Sequence, residues 1–131
     1  MRLVLDASAA LEVVLKRSRA GDLVRAIQEA DTVMAPELLV PEVVNAIWKY
    51  YHFDHLDLNS CTQALELAIE LADDLVSCKD LWREAFLLAR KNRRPAYDMF
   101  YIVLARREDA AILTMDKALR KEAERYGVQV I

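Results

Sequence analysis

The chain has 131 residues, of which 55% are hydrophobic and 30% are charged, and this is typical of one compact domain spanning residues 1–131. Its net charge of −3 gives no general attraction to nucleic acid, so such binding would depend on local basic patches or bound cations. No apolar run reaches the roughly 20 residues that cross a bilayer, and no signal-like segment is present, which predicts a cytoplasmic protein without a membrane partner.

The first strand, Leu3–Leu5, is apolar throughout, the pattern of a strand buried on both faces in a parallel sheet. Asp6 stands at its C-terminal end and precedes a segment of helix-forming composition. The elements predicted next are a helix Ala7–Val14, a helix from Asp22 to about Ala30, a strand Thr32–Ala35 closed by Pro36, and a long helix with Pro41 at its first position.

The rest of the chain continues the alternation of helix and strand. Asn59 is predicted to cap a fourth helix that ends near Asp73, and Asp80 to cap a fifth. Five short strands separated by helices predict an α/β fold, a three-layer α/β/α sandwich around a short parallel sheet. The remaining elements are a strand Leu75–Cys78, helices Leu81–Lys91 and Ala96–Arg107, a strand Ala111–Thr114, a helix Asp116–Tyr126 and a strand Val128–Ile131.

Four carboxylates stand where these elements meet. Asp6 and Asp116 follow strands, and Asp98 lies in the first turn of an apolar helix, so each could cap a helix or face a ligand at the sheet edge. Glu42 lies on the polar face of the long helix, where a Glu is usually solvated, but Asn45 one turn later could support its carboxylate. We expect the four carboxylates to converge at the C-terminal edge of the sheet.

Four converging carboxylates would repel one another and raise one another's pKa unless a cation lay between them. Oxygen ligands without His or Cys favour Mg²⁺ or Mn²⁺ over zinc. Such a site activates water and neutralises the charge that develops on a phosphodiester, which is metal-assisted nucleolytic hydrolysis. Basic residues near two of the acids, Arg93, Arg94 and Lys117, are candidates for contact with the substrate backbone.

Four short motifs, in this order and spacing, resemble the PIN-domain ribonucleases, especially the VapC-like toxins of type II toxin–antitoxin pairs. The motifs are Asp6-Ala7-Ser8, Pro41-Glu42-Val43-Val44-Asn45, Tyr97-Asp98 and Leu113-Thr114-Met115-Asp116, and the resemblance runs from Met1 to Ile131. It implies a Mg²⁺- or Mn²⁺-dependent endoribonuclease with an RNA substrate. The residues that it implies are Asp6, Glu42, Asp98 and Asp116 as catalytic metal ligands, with Ser8, Asn45 and Thr114 in support.

The resemblance also implies a protein partner, an antitoxin, and favours a homodimer. The long helix has a broad apolar face, of which we expect part to lie in the core and the remainder to form a groove for an amphipathic segment of the antitoxin. The residues of that face are Val40, Val43, Val44, Ile47, Trp48 and Tyr51.

Two alternatives remain open from the sequence. A phospho-receiver signalling domain has a similar length, but it needs two adjacent acids after the first strand and an acceptor Asp after the middle one. This chain has Asp6 alone at the first position, and Pro36 or Cys78-Lys79 at the second. A non-catalytic protein-binding module is the other alternative, in which the acids serve only as helix caps.

Overall fold

The computed structural model describes all residues, Met1–Ile131, and contains a parallel sheet of four strands. The strands are β1 (Arg2–Leu5), β2 (Thr32–Pro36), β3 (Asp74–Val76) and β4 (Ala111–Leu113), in the spatial order β3-β2-β1-β4. Strand β1 pairs with both β2 and β4, and its Leu3 lies opposite Val33 of β2 and Ala111 of β4. The carboxyl ends of β1 and β4 therefore lie side by side.

Seven helices connect and cover these strands. They are α1 (Ala7–Val14), α2 (Ala20–Glu29), α3 (Leu39–Phe53), α4 (Leu58–Glu70), α5 (Trp82–Asn92), α6 (Ala96–Glu108) and α7 (Lys117–Arg125). None of them combines the length and the hydropathy that a membrane span would require.

The predicted three-layer sandwich is confirmed by the way side chains alternate along β1. Leu3 and Leu5 pack in one buried cluster with residues of α1 to α4, whereas Val4 packs in a second cluster with residues of α5, α6 and α7. Because successive side chains of a strand point to opposite faces, both faces of the sheet are covered by helices. The unbroken apolar run of β1 is the sequence signature of that double burial.

The predicted fifth strand, Val128–Ile131, forms only a single parallel bridge, between Ile112 and Val130. Ile112 donates its N–H to the carbonyl of Gln129 at 2.9 Å and accepts from the N–H of Ile131 at 3.0 Å. Since β4 has only three residues, little backbone is available for a longer ladder. The sheet thus has four strands, rather than the predicted five, and one bridge.

Two predicted helix caps are wrong. Asp57, and not Asn59, caps α4, because its backbone is extended and its carboxylate accepts from the N–H of Ser60 at 2.9 Å. Asp80 lies instead in a short 3₁₀ turn, Cys78–Asp80, which precedes α5. Ser77 caps that turn from an extended backbone, so β3 ends at Val76 and not at Cys78.

The apolar side of α3 is divided between core and surface. Val43 and Ile47 are buried, whereas a neighbouring strip of the same helix is exposed. We call this strip the α3 surface; its residues are Val44, Trp48, Tyr51 and Phe53.

Candidate active site

The carboxylate of Asp6 is enclosed by donors at the end of β1. Ser8 Oγ donates to Oδ1 at 2.8 Å, the N–H of Ala9 donates to the same oxygen at 2.9 Å, and Thr114 Oγ1 donates to Oδ2. Asp6 is only 5% exposed. Burial raises the pKa of this carboxyl to about 6 and the charge of Asp116 adds to the increase, although the three hydrogen bonds oppose it. Asp6 is thus a carboxylate that a nearby cation would stabilise.

Asp116 caps α7 three residues beyond β4. Its Oδ1 accepts from the N–H of Ala118 at 2.8 Å and from that of Leu119 at 3.3 Å. Its own N–H donates to Thr114 Oγ1 at 2.9 Å. The Thr114 hydroxyl, which also donates to Asp6, therefore connects the two acids, and this is possible because β1 and β4 are neighbours.

Glu42 lies in the first turn of α3 and receives a hydrogen bond of 2.6 Å from the Tyr101 hydroxyl of α6. Burial raises the pKa of the Glu42 carboxyl, and the charge of Asp98 adds to the increase against the effect of this hydrogen bond. Burial, followed by the charge of Glu42, also raises the pKa of the Tyr101 hydroxyl. Tyr101 consequently remains a proton donor that fixes one oxygen of Glu42.

Asp98 lies in the first turn of α6, where its Oδ2 accepts from Arg94 Nη2 at 2.9 Å. This hydrogen bond raises the pKa of the Arg94 guanidinium, and the charges of Glu122 and Asp116 add to the increase. Arg94 is therefore held by one of the predicted acids and lies within the field of a second.

The structure arranges the four predicted acids as two pairs whose members interact electrostatically, Asp6 with Asp116 and Glu42 with Asp98. Tyr101 links the pairs, because the charges of both Glu42 and Asp6 raise the pKa of its hydroxyl. No three side chains among His, Cys, Asp and Glu lie close enough together to hold one metal ion in this arrangement. Each carboxylate is instead held by protein donors.

The donor set nevertheless fits a hard divalent cation such as Mg²⁺ or Mn²⁺. All the candidate ligands are carboxylate oxygens, and the pKa is raised in both Asp6 and Glu42. A bound cation would attract these carboxylates and so offset the repulsion between them.

The supporting residues predicted from the sequence have different outcomes. Ser8 and Thr114 contact Asp6 as hydrogen-bond donors, whereas Asn45 is exposed and makes no side-chain hydrogen bond to Glu42. The partner of Glu42 is Tyr101, which sequence reasoning missed. The sequence did contain a signal for Tyr101: it lies three residues after Asp98 and therefore on the same face of the helix. A buried Tyr hydroxyl usually finds a hydrogen-bond partner.

Of the predicted RNA-binding residues, Arg93 and Lys117 are exposed, whereas Arg94 is paired with Asp98. Arg93 ends α5 in the left-handed conformation, with φ 51°, and so begins the turn into α6. A groove of about 360 Å³ beside Glu42 is lined also by Leu38, Pro41, Asn45 and Tyr97. A surface concavity of about 540 Å³ includes Met1 and Ala111 at the N-terminal edge of the sheet and none of the four acids.

The sequence matches the PIN domain family over residues 3–124. The chain therefore belongs to the PIN-domain family. It is also similar to Ribonuclease VapC3 of Pyrobaculum aerophilum, with 30% identity over 124 residues that cover 93% of this chain and 95% of the relative.

Two solved structures resemble the fold. The Mycobacterium tuberculosis toxin VapC20, described as cleaving the sarcin–ricin loop, superposes with a TM-score of 0.65 at 18% identity, over 92% of this chain and 94% of that one. VapBC2 from Rickettsia felis, bound to a DNA fragment from their promoter, gives a TM-score of 0.69 at 14% identity, over 100% and 98% of the two chains. At these identities the likeness shows the PIN fold.

Proposed function

We propose that this protein is an endoribonuclease that uses Mg²⁺ or Mn²⁺ to hydrolyse RNA phosphodiester bonds, and that it is the toxin of a toxin–antitoxin pair. The observation that carries this proposal is that the Thr114 hydroxyl joins the carboxylate of Asp6 to the backbone N–H of Asp116 where the neighbouring strands β1 and β4 end. Membership of the PIN-domain family and the likeness to Ribonuclease VapC3 support RNA as the substrate.

In this proposal the four carboxylates would draw together around the cation, which would supply Lewis acidity and lower the pKa of a nucleophilic water. Ser8 and Thr114 fix the orientation of Asp6, and Tyr101 fixes that of Glu42. The exposed charges of Arg93 and Lys117, with the guanidinium of Arg94, attract the RNA backbone to an otherwise acidic edge.

The test is cleavage of RNA by the purified chain with Mn²⁺ or Mg²⁺, which we expect to leave a 5′-phosphate and a 3′-hydroxyl and to stop in EDTA. Asp98→Asn removes one charged ligand at nearly constant volume, so we expect the rate to fall by orders of magnitude in a folded protein. Asp57→Asn is the matched control, because Asn caps a helix as well as Asp does and α4 lies apart from the site. Full activity of Asp98→Asn, in a preparation free of contaminating nuclease, would refute the proposal.

We further propose that the α3 surface binds an amphipathic segment of an antitoxin. Trp48 packs edge-on against His52 and Phe53, with ring centroids 4.8 and 6.1 Å away, so the surface is a preformed aromatic cluster. Grooves and faces of this kind accept the apolar side of a helix. An Arg or Lys of the segment would reach the acidic edge and displace the cation.

Co-expression with the adjacent open reading frame tests this partner, with co-purification and suppression of RNA cleavage as the expected results. Trp48→Ala should abolish both, whereas Trp82→Ala should not, although the two Trp residues are 49% and 50% exposed. If the two variants lost co-purification and suppression of cleavage to the same extent, the α3 surface would not be the docking site.

Self-association is a separate proposal. Trp82, Phe86 and Leu87 of α5 form a second exposed apolar surface, which we assign to a homodimer. Sedimentation of the wild type should give a dimer and that of Phe86→Glu a monomer; a monomeric wild type would remove this assignment.

A further inference from the structure

Two buried side-chain atoms of the chain lack a hydrogen-bond partner, and they belong to residues of opposite charge: Arg94 Nε and Glu122 Oε2. An unpaired polar group in the interior is destabilising, so two of them in one part of the fold require an explanation. Glu122 is close enough to Arg94 for its charge to act on the guanidinium, second among the charged residues only to Asp98. The two unpaired atoms therefore point to an arrangement in which they are joined.

Glu122 is not otherwise satisfied. It lies in α7, is buried, and its nearest cation is Arg125, whose Nη1 is 3.6 Å from Oε1. That distance is longer than a hydrogen bond. The Glu122 carboxylate thus retains the capacity to accept a guanidinium, whereas the guanidinium of Arg94 contacts Asp98 at 2.9 Å.

The end of α5, two residues before Arg94, is held in place by the side chain of Asn92. Asn92, at the end of α5, donates to the carbonyl of Leu88 and to the hydroxyl of Tyr126, and Arg125 donates to its Oδ1. These contacts tie the end of α5 to the end of α7, which carries Glu122. The Arg94 side chain is one-third exposed, so it is not locked in place by packing on all sides.

We propose that Glu122 is a positioning residue, which receives the Arg94 guanidinium when a divalent cation replaces that guanidinium on Asp98. This inference rests on the proposed metal-dependent nuclease function. With Arg94 on Asp98, the acidic edge carries its own internal cation. With Arg94 on Glu122, Asp98 is available as a ligand, and a positive charge stays beside the site for the substrate phosphate.

Calorimetric titration of the full chain with Mn²⁺ tests the proposal without using activity. Glu122→Gln should weaken Mn²⁺ binding about tenfold, because Arg94 then has no charged alternative to Asp98. Arg94→Gln should tighten binding, because the competing cation is gone. In the Arg94→Gln background, Glu122→Gln should have no further effect, and Arg125→Gln, the matched control, should leave the dissociation constant unchanged.

The outcomes separate this inference from the function on which it rests. If the wild type does not bind Mn²⁺, or if Asp98→Asn binds Mn²⁺ as tightly as the wild type does, the metal site itself is overturned. If Asp98→Asn abolishes Mn²⁺ binding but Glu122→Gln leaves it intact, only the role of Glu122 is overturned. The same holds if Glu122→Gln weakens Mn²⁺ binding equally in the wild type and in the Arg94→Gln background. If Glu122→Gln does not fold, Arg94→Gln alone decides, and unchanged or weaker binding by that variant overturns the inference.

Discussion

The Tyr101 hydroxyl of α6 and the Glu42 carboxylate of α3 are joined by a hydrogen bond of 2.6 Å. Tyr101 is buried and Glu42 is only partly exposed, so the hydroxyl selects one orientation of the carboxylate. Partners of this kind fix ligands of metal sites through contacts that lie behind them. The contact joins two helices that cover opposite faces of the sheet, at the edge where the strands have their carboxyl ends.

We therefore expect Tyr101→Phe to lower the rate of RNA cleavage by about 10- to 100-fold, because Glu42 loses the donor that orients it. Tyr50→Phe is the control, since it also removes a hydroxyl that makes a hydrogen bond, in this case with Arg17. Single-turnover cleavage rates measure both variants. A Tyr101→Phe rate equal to that of Tyr50→Phe would show that the contact serves the fold alone.

Thr114→Val should shift the pH dependence of cleavage towards higher pH. The Thr114 hydroxyl lowers the pKa of Asp6, so its removal raises that pKa above about 6 and leaves more Asp6 protonated at neutral pH. Thr114→Ser keeps the hydroxyl and should retain the wild-type profile. Rate profiles over a range of pH compare the three proteins; identical profiles for Val and Ser variants would exclude this effect.

Asp6→Asn should change the dependence of stability on pH. The folded state raises the pKa of Asp6 from 3.8 to about 6, so it binds this proton more tightly than the unfolded state and the wild type loses stability as the pH rises through that interval. The free energy of unfolding of the variant, relative to wild type, should therefore increase by roughly 3 kcal/mol between about pH 4 and about pH 8.

Urea unfolding in EDTA measures this difference. Asp57→Asn is the control of opposite sign, because hydrogen bonds from Ser60 lower the pKa of Asp57 and its removal should reduce relative stability as the pH rises. A pH-independent difference for Asp6→Asn would mean that Asp6 titrates normally in the folded protein.

Adjacent residues of α3 should respond differently to truncation. Ile47 is 1% exposed, so Ile47→Ala should cost about 2–5 kcal/mol of the free energy of unfolding. Trp48 is 49% exposed, and Trp48→Ala should leave a folded protein with a cost of about 1 kcal/mol. Urea unfolding of both variants checks this, and global unfolding of Trp48→Ala would place that residue in the core.

The sequence predicted the layers of the fold because its strands are short apolar runs that end on acids, as at Leu3–Leu5 and Asp6. It did not predict the length of pairing at the chain end, where Val130 forms one bridge, because an apolar segment does not reveal how much backbone its neighbour offers. Caps were misassigned at Asn59 and Asp80, since several cap-forming residues stand near each helix start and the extended backbone decides among them.

For the site, sequence position predicted Asp6 and Asp116 at the same edge of the sheet, and the pairing of β1 with β4 makes the two strand ends neighbours. The partner of Glu42 and the pairing of Arg94 with Asp98 depend on side-chain contacts between elements. Helical periodicity shows which residues share a face, but not which residue on another helix they meet. The contact of Arg94 with Asp98 illustrates this limit, whereas its predicted contact with RNA stays a prediction.

Asp6 and Asp116 each cap a helix, accepting from the N–H groups of Ala9 and Ala118. Glu42 and Asp98 accept only from side chains, those of Tyr101 and Arg94. A capping residue, Asp or Asn, would accordingly be retained at positions 6 and 116 in a descendant that had lost catalysis. Under the proposed function, an acid at positions 42 and 98 would therefore distinguish an active nuclease from an inactive relative better than an Asp at positions 6 and 116.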